Sequence, residues 1–404
     1  MWNKVISYLQ QKHTQKDLIL LLIIGGLYAL GIFLSNTFVN VYLWRQTNDY
    51  LTIAFYNFAI FIVQPLTFLV VGKVVKMIDR IFVLRTGVIF LSIFFMTVLI
   101  IGENAATYNV LLGCLLGIGY GCYGLAFNLL AFEITEPETR DFFNGYMGAL
   151  ESLGGMIGPF IAGFIIAKMK TEIGYMTVFS ISLGLFLLAV FMSFFIQKRK
   201  AKGRYCLHIA WNEVKRNTNV RNMMLANMFQ GMREGLFVFV VAIWVYLVTK
   251  SELALGTFTL VLNVCSLVFF FLITKFLKPQ YRKTSILIGS IFISLSVFII
   301  LFQLTFTQLL VYAIVVGVFS PLLHVPFDSM AYDVIGKSHK ARTYRIEYIV
   351  WLEVFANIGR IISVTAFIVG LYTFPNNIAI PYVMATFSIA YFFVYLFVKK
   401  TSFI

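Results

Sequence analysis

The chain has 404 residues, of which 60% are hydrophobic and only 12% are charged, and its formal net charge is +15. Soluble domains have about 25% charged residues, so this composition excludes a soluble globular enzyme. The 43 Phe residues exclude a disordered chain, and apolar residues spread over the whole length exclude a soluble domain on one anchor. The sequence therefore predicts a polytopic membrane protein.

Twelve apolar segments are each long enough to span a bilayer, which takes roughly 20 residues of helix. The first six predicted spans are 18–43, 51–72, 81–101, 108–132, 143–167 and 174–196. The last six are 222–249, 253–274, 284–305, 307–334, 343–371 and 376–398. We therefore predict an all-α integral membrane protein with an N-terminal six-helix half over 1–196, a basic cytoplasmic linker over 197–221 and a C-terminal six-helix half over 222–404.

Positive residues are distributed unequally between the two sides of these predicted spans. With the N-terminus inside, the inside segments hold 26 of the 32 Lys and Arg residues, and the outside loops hold 4. Cytoplasmic loops of membrane proteins carry such an excess. We therefore expect both termini in the cytoplasm, and the positive net charge needs no nucleic-acid partner.

The two halves repeat each other at an offset of 200–204 residues. Repeated positions keep their order along the chain, as in Gly31 and Gly235, Arg80 and Arg282, and Glu151 and Glu353. A parallel repeat predicts two pseudo-symmetric halves related by an axis along the membrane normal, with the substrate site between them near the midplane.

The fifth predicted span carries a run of small residues. Gly154 and Gly158 lie on one helix face and permit close helix approach, and Pro159 can kink the helix. With Gly163 they form Gly-x-x-x-Gly-Pro-x-x-Ala-Gly, which resembles the antiporter motif of the major facilitator superfamily. In that family the motif is associated with exporters more than with uptake carriers. Helix packing alone is the alternative explanation.

The loop between spans two and three also resembles this family, which has a Gly-x-x-x-Asp-x-x-Gly-Arg loop whose charges latch the cytoplasmic gate. Gly72 and Arg80 match that pattern, whereas Lys76 stands at the usual Asp and Asp79 at the second Gly. The family latch therefore cannot be carried over unchanged; Asp79 is a candidate for the acid, and a solvated basic loop is the alternative. The loop that ends at Arg140 resembles the family's linker between helices four and five.

Helix four departs from the family of drug exporters, because the region 112–117 has no charge where many of them carry an Arg. This departure weakens a direct transfer of the proton-coupled drug-pump mechanism.

Charged residues inside the spans are the main candidates for function, because burying a charge in a membrane is costly. They occur in spans five, seven, ten and eleven: Glu151, Arg233, Glu234, His324, Asp328, Glu347, Glu353 and Arg360. Helices three, six, nine and twelve face lipid in the family resembled, and these four spans lack interior charge. The charged spans are then the ones expected to line the cavity.

Proton coupling is expected at Glu234 first, then at Glu353 and Asp328, with Arg233 and Arg360 as counter-ions or anion anchors. Burial favours the neutral form of an acid, and a nearby Arg favours its charged form. An acid that is subject to both effects can titrate near neutral pH. Fixed Arg233–Glu234 and Arg360–Glu353 salt bridges that do not titrate are the alternative.

The other interior charges are less specific. Glu151 is open between a coupling role and an interfacial one, and Glu347 is expected to be interfacial. His324 lies between two prolines in a segment expected to be broken, and a satisfied buried His is favoured over a proton relay.

Taken together, these features favour a secondary transporter rather than an enzyme. We expect proton-coupled export of a small amphipathic or cationic compound by alternating access. A lipid or glycolipid translocator of the same fold and a metabolite uptake carrier are alternatives, and a transport-inactive scaffold is disfavoured. No ATP-binding loop or metal-ligand spacing occurs, so no metal and no cofactor are expected. The expected partners are a small-molecule substrate, protons and the lipid bilayer, for a monomer in a bacterial cytoplasmic membrane.

Overall fold

A computed structural model describes residues 14–134, 137–169, 171–196, 205–338 and 341–401. This part of the chain is helical throughout and contains no strand. Twelve of its helices are long and apolar enough to cross a membrane. The predicted all-α architecture with twelve spans is confirmed.

The membrane helices are numbered one to twelve in chain order. Helices one to six are Thr14–Thr47, Tyr50–Met77, Arg80–Ile101, Asn109–Ile134, Pro137–Lys168 and Thr171–Ser193. Helices seven to eleven are Thr218–Thr249, Glu252–Phe276, Arg282–Phe302, Phe306–Lys337 and Ala341–Thr373. Helix twelve consists of Asn376–Ser388 and Ala390–Lys399, and a short linker helix, Leu207–Arg216, lies between the halves.

Polar side chains at the loops determine where several helices begin. Asp49 accepts hydrogen bonds from the first amides of helix two, and Asp79 does the same for helix three. Asn217 caps helix seven, Ser251 caps helix eight and Thr305 caps helix ten. These caps satisfy backbone N–H groups that have no partner within the helix. The Thr305 cap explains why helices nine and ten separate although their apolar sequences nearly merge.

The two halves use the same internal packing scheme. Helix one packs on five and six as helix seven packs on eleven and twelve, and helix four packs on two and three as helix ten packs on eight and nine. The halves meet through helix five against eight and helix two against eleven, which is also a symmetric exchange. The predicted pseudo-symmetry of two six-helix halves is confirmed.

The chain turns alternately at two membrane sides. We call the side with the linker helix and the loop at Asp79 the linker face, and the other side the opposite face. The largest apolar cluster joins helices one to six to Leu236–Val245, the part of helix seven nearer the opposite face. The halves therefore share a core at the opposite face, and the charged centre of helix seven lies between this core and the linker face.

Candidate functional site

The centre of the molecule contains an ion pair between helices seven and eleven. Arg360 Nη2 lies 2.9 Å from Glu234 Oε2, and the two side chains keep 21% and 29% of their surface exposed. Gln230 donates to the other Glu234 oxygen at 3.0 Å, and Asn357 accepts from Arg360 at 3.2 Å. The pair is thus well hydrogen-bonded and still partly exposed. We call the space to which it is exposed, between helices seven and eleven and Phe61 of helix two, the crevice.

The arginine of this pair also reaches across to the N-terminal half. Its guanidinium carbon lies 5.8 Å from the centre of the Phe61 ring on helix two. An arginine over an aromatic face is a favourable contact. Arg360 therefore touches an acid of its own half and a ring of the other half at once.

The two salt bridges considered as the alternative, Arg233–Glu234 and Arg360–Glu353, do not form among the described side chains. Arg360 pairs with Glu234 and not with Glu353, which lies on its own helix. Arg233 points away from Glu234 because consecutive helical residues diverge by about 100°. It is buried, donates to the Tyr312 hydroxyl at 3.1 Å and lies over the Phe237 and Tyr391 rings at 4.2 and 4.8 Å. Its partners in this structure are therefore aromatic side chains and not a carboxylate.

Three further carboxylates have neither a hydrogen bond nor an ion pair among the described residues. Asp328 and Glu151 are exposed and Glu353 is half-buried. Asp328 lies within electrostatic range of both Glu234 and Glu353. The crevice therefore contains more acids than bases.

Glu151 faces two neighbouring helices rather than lipid. Gly154, three residues later, packs on helix one, and Gly155, four residues later, packs on Asn263 of helix eight. A residue three and four positions before these lies on the face between the two neighbouring helices. Glu151 of the N-terminal half therefore lies on the side of helix five that faces helix one and helix eight of the other half.

His324 is held by a neighbouring amide. Its Nδ1 lies 3.1 Å from Gln230 Nε2, and its ring meets Tyr391 edge to face. When the amide donates, Nδ1 accepts and the imidazole is neutral with its proton on Nε2. Helix ten runs through Pro321 and Pro326 without interruption, so the expected break at this position is wrong.

The helix-five motif lies at two helix contacts. Backbone atoms of helix one would lie 3.3 and 2.9 Å from a Cβ at Gly154 and Gly158, and the carbonyl of Glu252 on helix eight would lie 2.5 Å from one at Gly163. The Pro159 carbonyl in turn lies under Gly256 of helix eight. The motif therefore joins helix five both to its own half and to the other half.

At the linker face the halves are joined by an ion pair between Lys76 and Glu347, whose side chains are 5% and 0% exposed. Glu347 was expected to be interfacial; it lies near the linker-face end of helix eleven, where helix two and the linker bury its side chain completely. Among the other predicted gate residues, Gly72 lies under Tyr205, Asp79 caps helix three through the Ile81 amide, and Arg80 is buried. The side chain of Arg140 lies outside the described residues.

The opposite face has a second ion pair that the sequence analysis missed. Arg45 Nη1 of helix one lies 2.8 Å from Glu252 Oε1 of helix eight, and the Tyr175 hydroxyl donates to the same oxygen at 3.2 Å. Both residues lie at helix ends, where charged residues are common in membrane proteins. The sequence therefore contains no signal for this pair, and only the proximity of the two side chains in the structure identifies it. The N-terminal half supplies the cation and the C-terminal half the acid at both faces.

The sequence is similar to one protein family and to two bacterial proteins. A family model described as Major Facilitator Superfamily matches residues 21–352. The uncharacterized protein YqgE of Bacillus subtilis (strain 168) is 49% identical over 401 residues, which cover 99% of this chain and 93% of that protein. The uncharacterized protein in sodM 3'region of Geobacillus stearothermophilus is 59% identical over 169 residues, 42% of this chain and 79% of that protein.

Solved transporter structures share the fold at low sequence identity. The nucleoside transporter NupG superposes with a TM-score of 0.71 at 13% identity, over 95% of this chain and 100% of that chain. The human organic anion transporter MFSD10 (TETRAN) gives 0.67 at 11%, over 96% and 100%. The E. coli Fucose:proton symporter FucP gives 0.66 at 14%, over 96% and 98%. At these identities the likeness concerns the fold alone.

Proposed function

From the premise that the chain belongs to the Major Facilitator Superfamily and is a multi-pass secondary carrier, we propose that it exchanges protons for a small amphipathic cation, which it exports by alternating access. Both termini lie in the cytoplasm of a bacterium, and the protein works as a monomer in the cytoplasmic membrane. The linker face is then the cytoplasmic face.

The observation that carries the proposal is the Glu234–Arg360 pair. It lies in a membrane-embedded crevice, remains partly exposed and is joined through Arg360 to Phe61 of the other half. When Glu234 takes up a proton it loses its negative charge, and Arg360 is then able to move to another partner. Ionisable residues inside membrane spans often serve such proton relays.

The proposed cycle follows from this contact. Protonation from outside neutralises Glu234, so Arg360 loses its ionic partner and its position over Phe61 is no longer fixed. The halves then rock about the crevice. Loss of the proton on the cytoplasmic side and entry of the cationic substrate restore the first arrangement.

The sign of the crevice supports a cation. Glu151, Asp328 and Glu353 have no ionic partner among the described side chains, whereas Arg360 is already paired and Arg233 is enclosed by aromatic rings. Carboxylates in a low-dielectric crevice favour a positive ligand. A lipid or sugar-phosphate translocator, the second candidate, needs an accessible arginine for its anionic group; in the arrangement described here Arg360 is paired with Glu234 and Arg233 is enclosed by aromatic rings.

The direction of transport is supported by the helix-five motif, through its resemblance to exporters. A metabolite uptake carrier remains the third candidate and would use the same ion pair in the reverse direction.

Proton release in everted membrane vesicles tests the proposal. A pH-sensitive dye follows the lumen while lipophilic cations, amphipathic anions and neutral glycolipid analogues of similar size are added in turn. We expect cations, and only cations, to release protons in vesicles with the native protein and not with Glu234→Gln. Asp333→Asn is the matched control, because this carboxylate on helix ten pairs with Arg282 at the linker face, outside the crevice.

Release by anions that Glu234→Gln abolishes would keep proton coupling and reject the cation. An inserted, folded protein that moves no protons with any class would reject proton coupling and leave facilitated or lipid translocation.

A further inference from the structure

The linker between the halves is seated on helix two. The Tyr205 hydroxyl donates to the Leu69 carbonyl at 3.2 Å. Its ring covers Gly72 so closely that a Cβ at that position would lie 2.5 Å from Tyr205 Oη and 2.8 Å from Cζ. Burial, with a contribution from the Glu347 carboxylate, raises the pKa of the Tyr205 phenol above its ordinary value, so the hydroxyl remains a donor.

The next residues of the linker are attached to helix eleven. The Cys206 amide donates to Glu347 Oε1 at 3.0 Å, and the Leu207 carbonyl accepts from Trp351 Nε1 at 3.2 Å. Trp211 of the linker helix stacks on Trp351 with ring centres 4.7 Å apart. Within a few residues the linker is thus held by both halves.

One atom connects the linker to the ion pair at this face. Glu347 Oε1 accepts both from the Cys206 amide and from Lys76, and the carboxylate is fully buried. The Lys76 ammonium also lies 5.8 Å from the Tyr205 ring centre. A buried carboxylate that loses one of its donors is destabilised, so displacement of the linker weakens the Lys76–Glu347 pair.

Helices two and eleven cannot separate while the linker keeps its contacts with both of them. Leu69 and Gly72 would move with one half, and Glu347 and Trp351 with the other. Tyr205 and Cys206 are adjacent in the chain and cannot follow both. Opening at the linker face therefore requires that at least one of the two attachments is broken.

We propose that residues 205–211 are a gating strap, which locks the linker face closed when Tyr205 lies over Gly72 and leaves this seat whenever the face opens. The strap is a structural part of the gate and not only a tether. Its action does not depend on the identity of the substrate or on proton coupling.

Cys206 provides a native reporter of the strap. Cys114, Cys122 and Cys265 are changed to Ser, so that Cys206 alone reacts with a membrane-impermeant maleimide in everted vesicles. Gly72→Ala should raise the labelling rate about fivefold, because the added methyl group excludes the Tyr205 ring from its seat. Gly336→Ala is the control, since a Cβ there meets nothing within 4 Å. It should label at the unmodified rate.

A second variant leaves helix two intact. Tyr205→Ala should raise Cys206 labelling as much as Gly72→Ala does, and Tyr205→Phe, which loses only the hydroxyl, should raise it less. Unchanged labelling in Gly72→Ala and in Tyr205→Ala, with both proteins monodisperse in detergent, would overturn the proposal. A faster rate in Gly336→Ala equal to that in Gly72→Ala would overturn it as well.

Discussion

Arg233 and Glu234 are neighbours in the sequence but differ in their surroundings. Arg233 is enclosed by Tyr312, Phe237 and Tyr391, whereas Glu234 faces the crevice and pairs with Arg360. Arg233 makes its contacts within the C-terminal half, whereas the Glu234 side chain keeps 29% of its surface exposed. This difference supports the proposal that Glu234, and not Arg233, takes part in transport.

Arg233→Leu should lower the stability of the purified protein by on the order of 2 kcal/mol, because a desolvated cation–π contact is worth about that much. Thermal unfolding in detergent measures the loss. Arg221→Leu, an exposed residue on the same helix, should leave the unfolding temperature unchanged. Arg233→Leu with native stability and abolished transport would contradict the structural role and return Arg233 to the substrate path.

Residue positions such as these were only partly predictable. The interior charges could be identified from hydropathy, because a charge within an apolar segment is conspicuous. Their partners could not, since the sequence fixes spacing along one helix and not the contacts between helices. Glu347 shows the limit: its position at a helix end suggested an interfacial residue, and only the linker packed above it explains its complete burial.

At the scale of single helices, close backbone approach places helix five between the halves. Gly158 meets the backbone of helix one, and Gly163 meets that of helix eight. Small residues in membrane helices permit such contacts. The glycines show a packing role, and the contact with helix eight of the other half supports the proposal that helix five also takes part in transport.

Gly158→Val should reduce stability by about 1–3 kcal/mol, the usual penalty for overpacking. Gly184→Val on helix six is the matched control, because a Cβ at that glycine meets nothing within 4 Å. Unfolding temperatures of the two purified variants provide the comparison. Equal stability of Gly158→Val and Gly184→Val would show that helix five tolerates side chains at its contact with helix one.

The ion pair between helices two and eleven should behave as a buried pair. Lys76→Ala leaves the Glu347 carboxylate without its ionic partner and should cost about 3–5 kcal/mol. The double variant Lys76→Ala, Glu347→Ala should be more stable than this single variant, since no lone charge is then buried. A double variant that is less stable than Lys76→Ala would mean that the two residues do not interact in the folded protein.

The pair at the opposite face is more exposed and should contribute less to stability. Arg45→Ala should change the unfolding free energy by at most about 1 kcal/mol, since the Arg45 side chain remains 28% exposed. It should nevertheless shift the carrier toward opening at that face by about fivefold. The shift is measured as the rate of cross-linking between two cysteines introduced near this pair, one on helix one and one on helix eight. Unchanged cross-linking would show that the pair is not a gate.

At the scale of the whole molecule, the membrane spans could be predicted from the sequence because hydrophobicity alone determines them. Hydropathy places both ends of eight of the twelve spans within three residues of the observed helix, and helices one, two, five and seven extend four to six residues beyond the predicted span at one or both ends. The internal repeat also holds, since helices two and eight, and three and nine, begin at the predicted offset. The ion pairs at the two faces are formed by charges from opposite halves, and no single segment of the sequence shows which charges will meet.

We expect Glu234 to couple proton movement to substrate movement, and a counterflow experiment tests this coupling. Liposomes that contain the purified protein and an internal lipophilic cation are diluted into labelled cation, first without and then with a proton gradient. We predict that Glu234→Gln retains exchange of labelled for unlabelled cation but loses the accumulation that a proton gradient drives in the native protein. Gradient-driven accumulation that persists in Glu234→Gln would contradict the account.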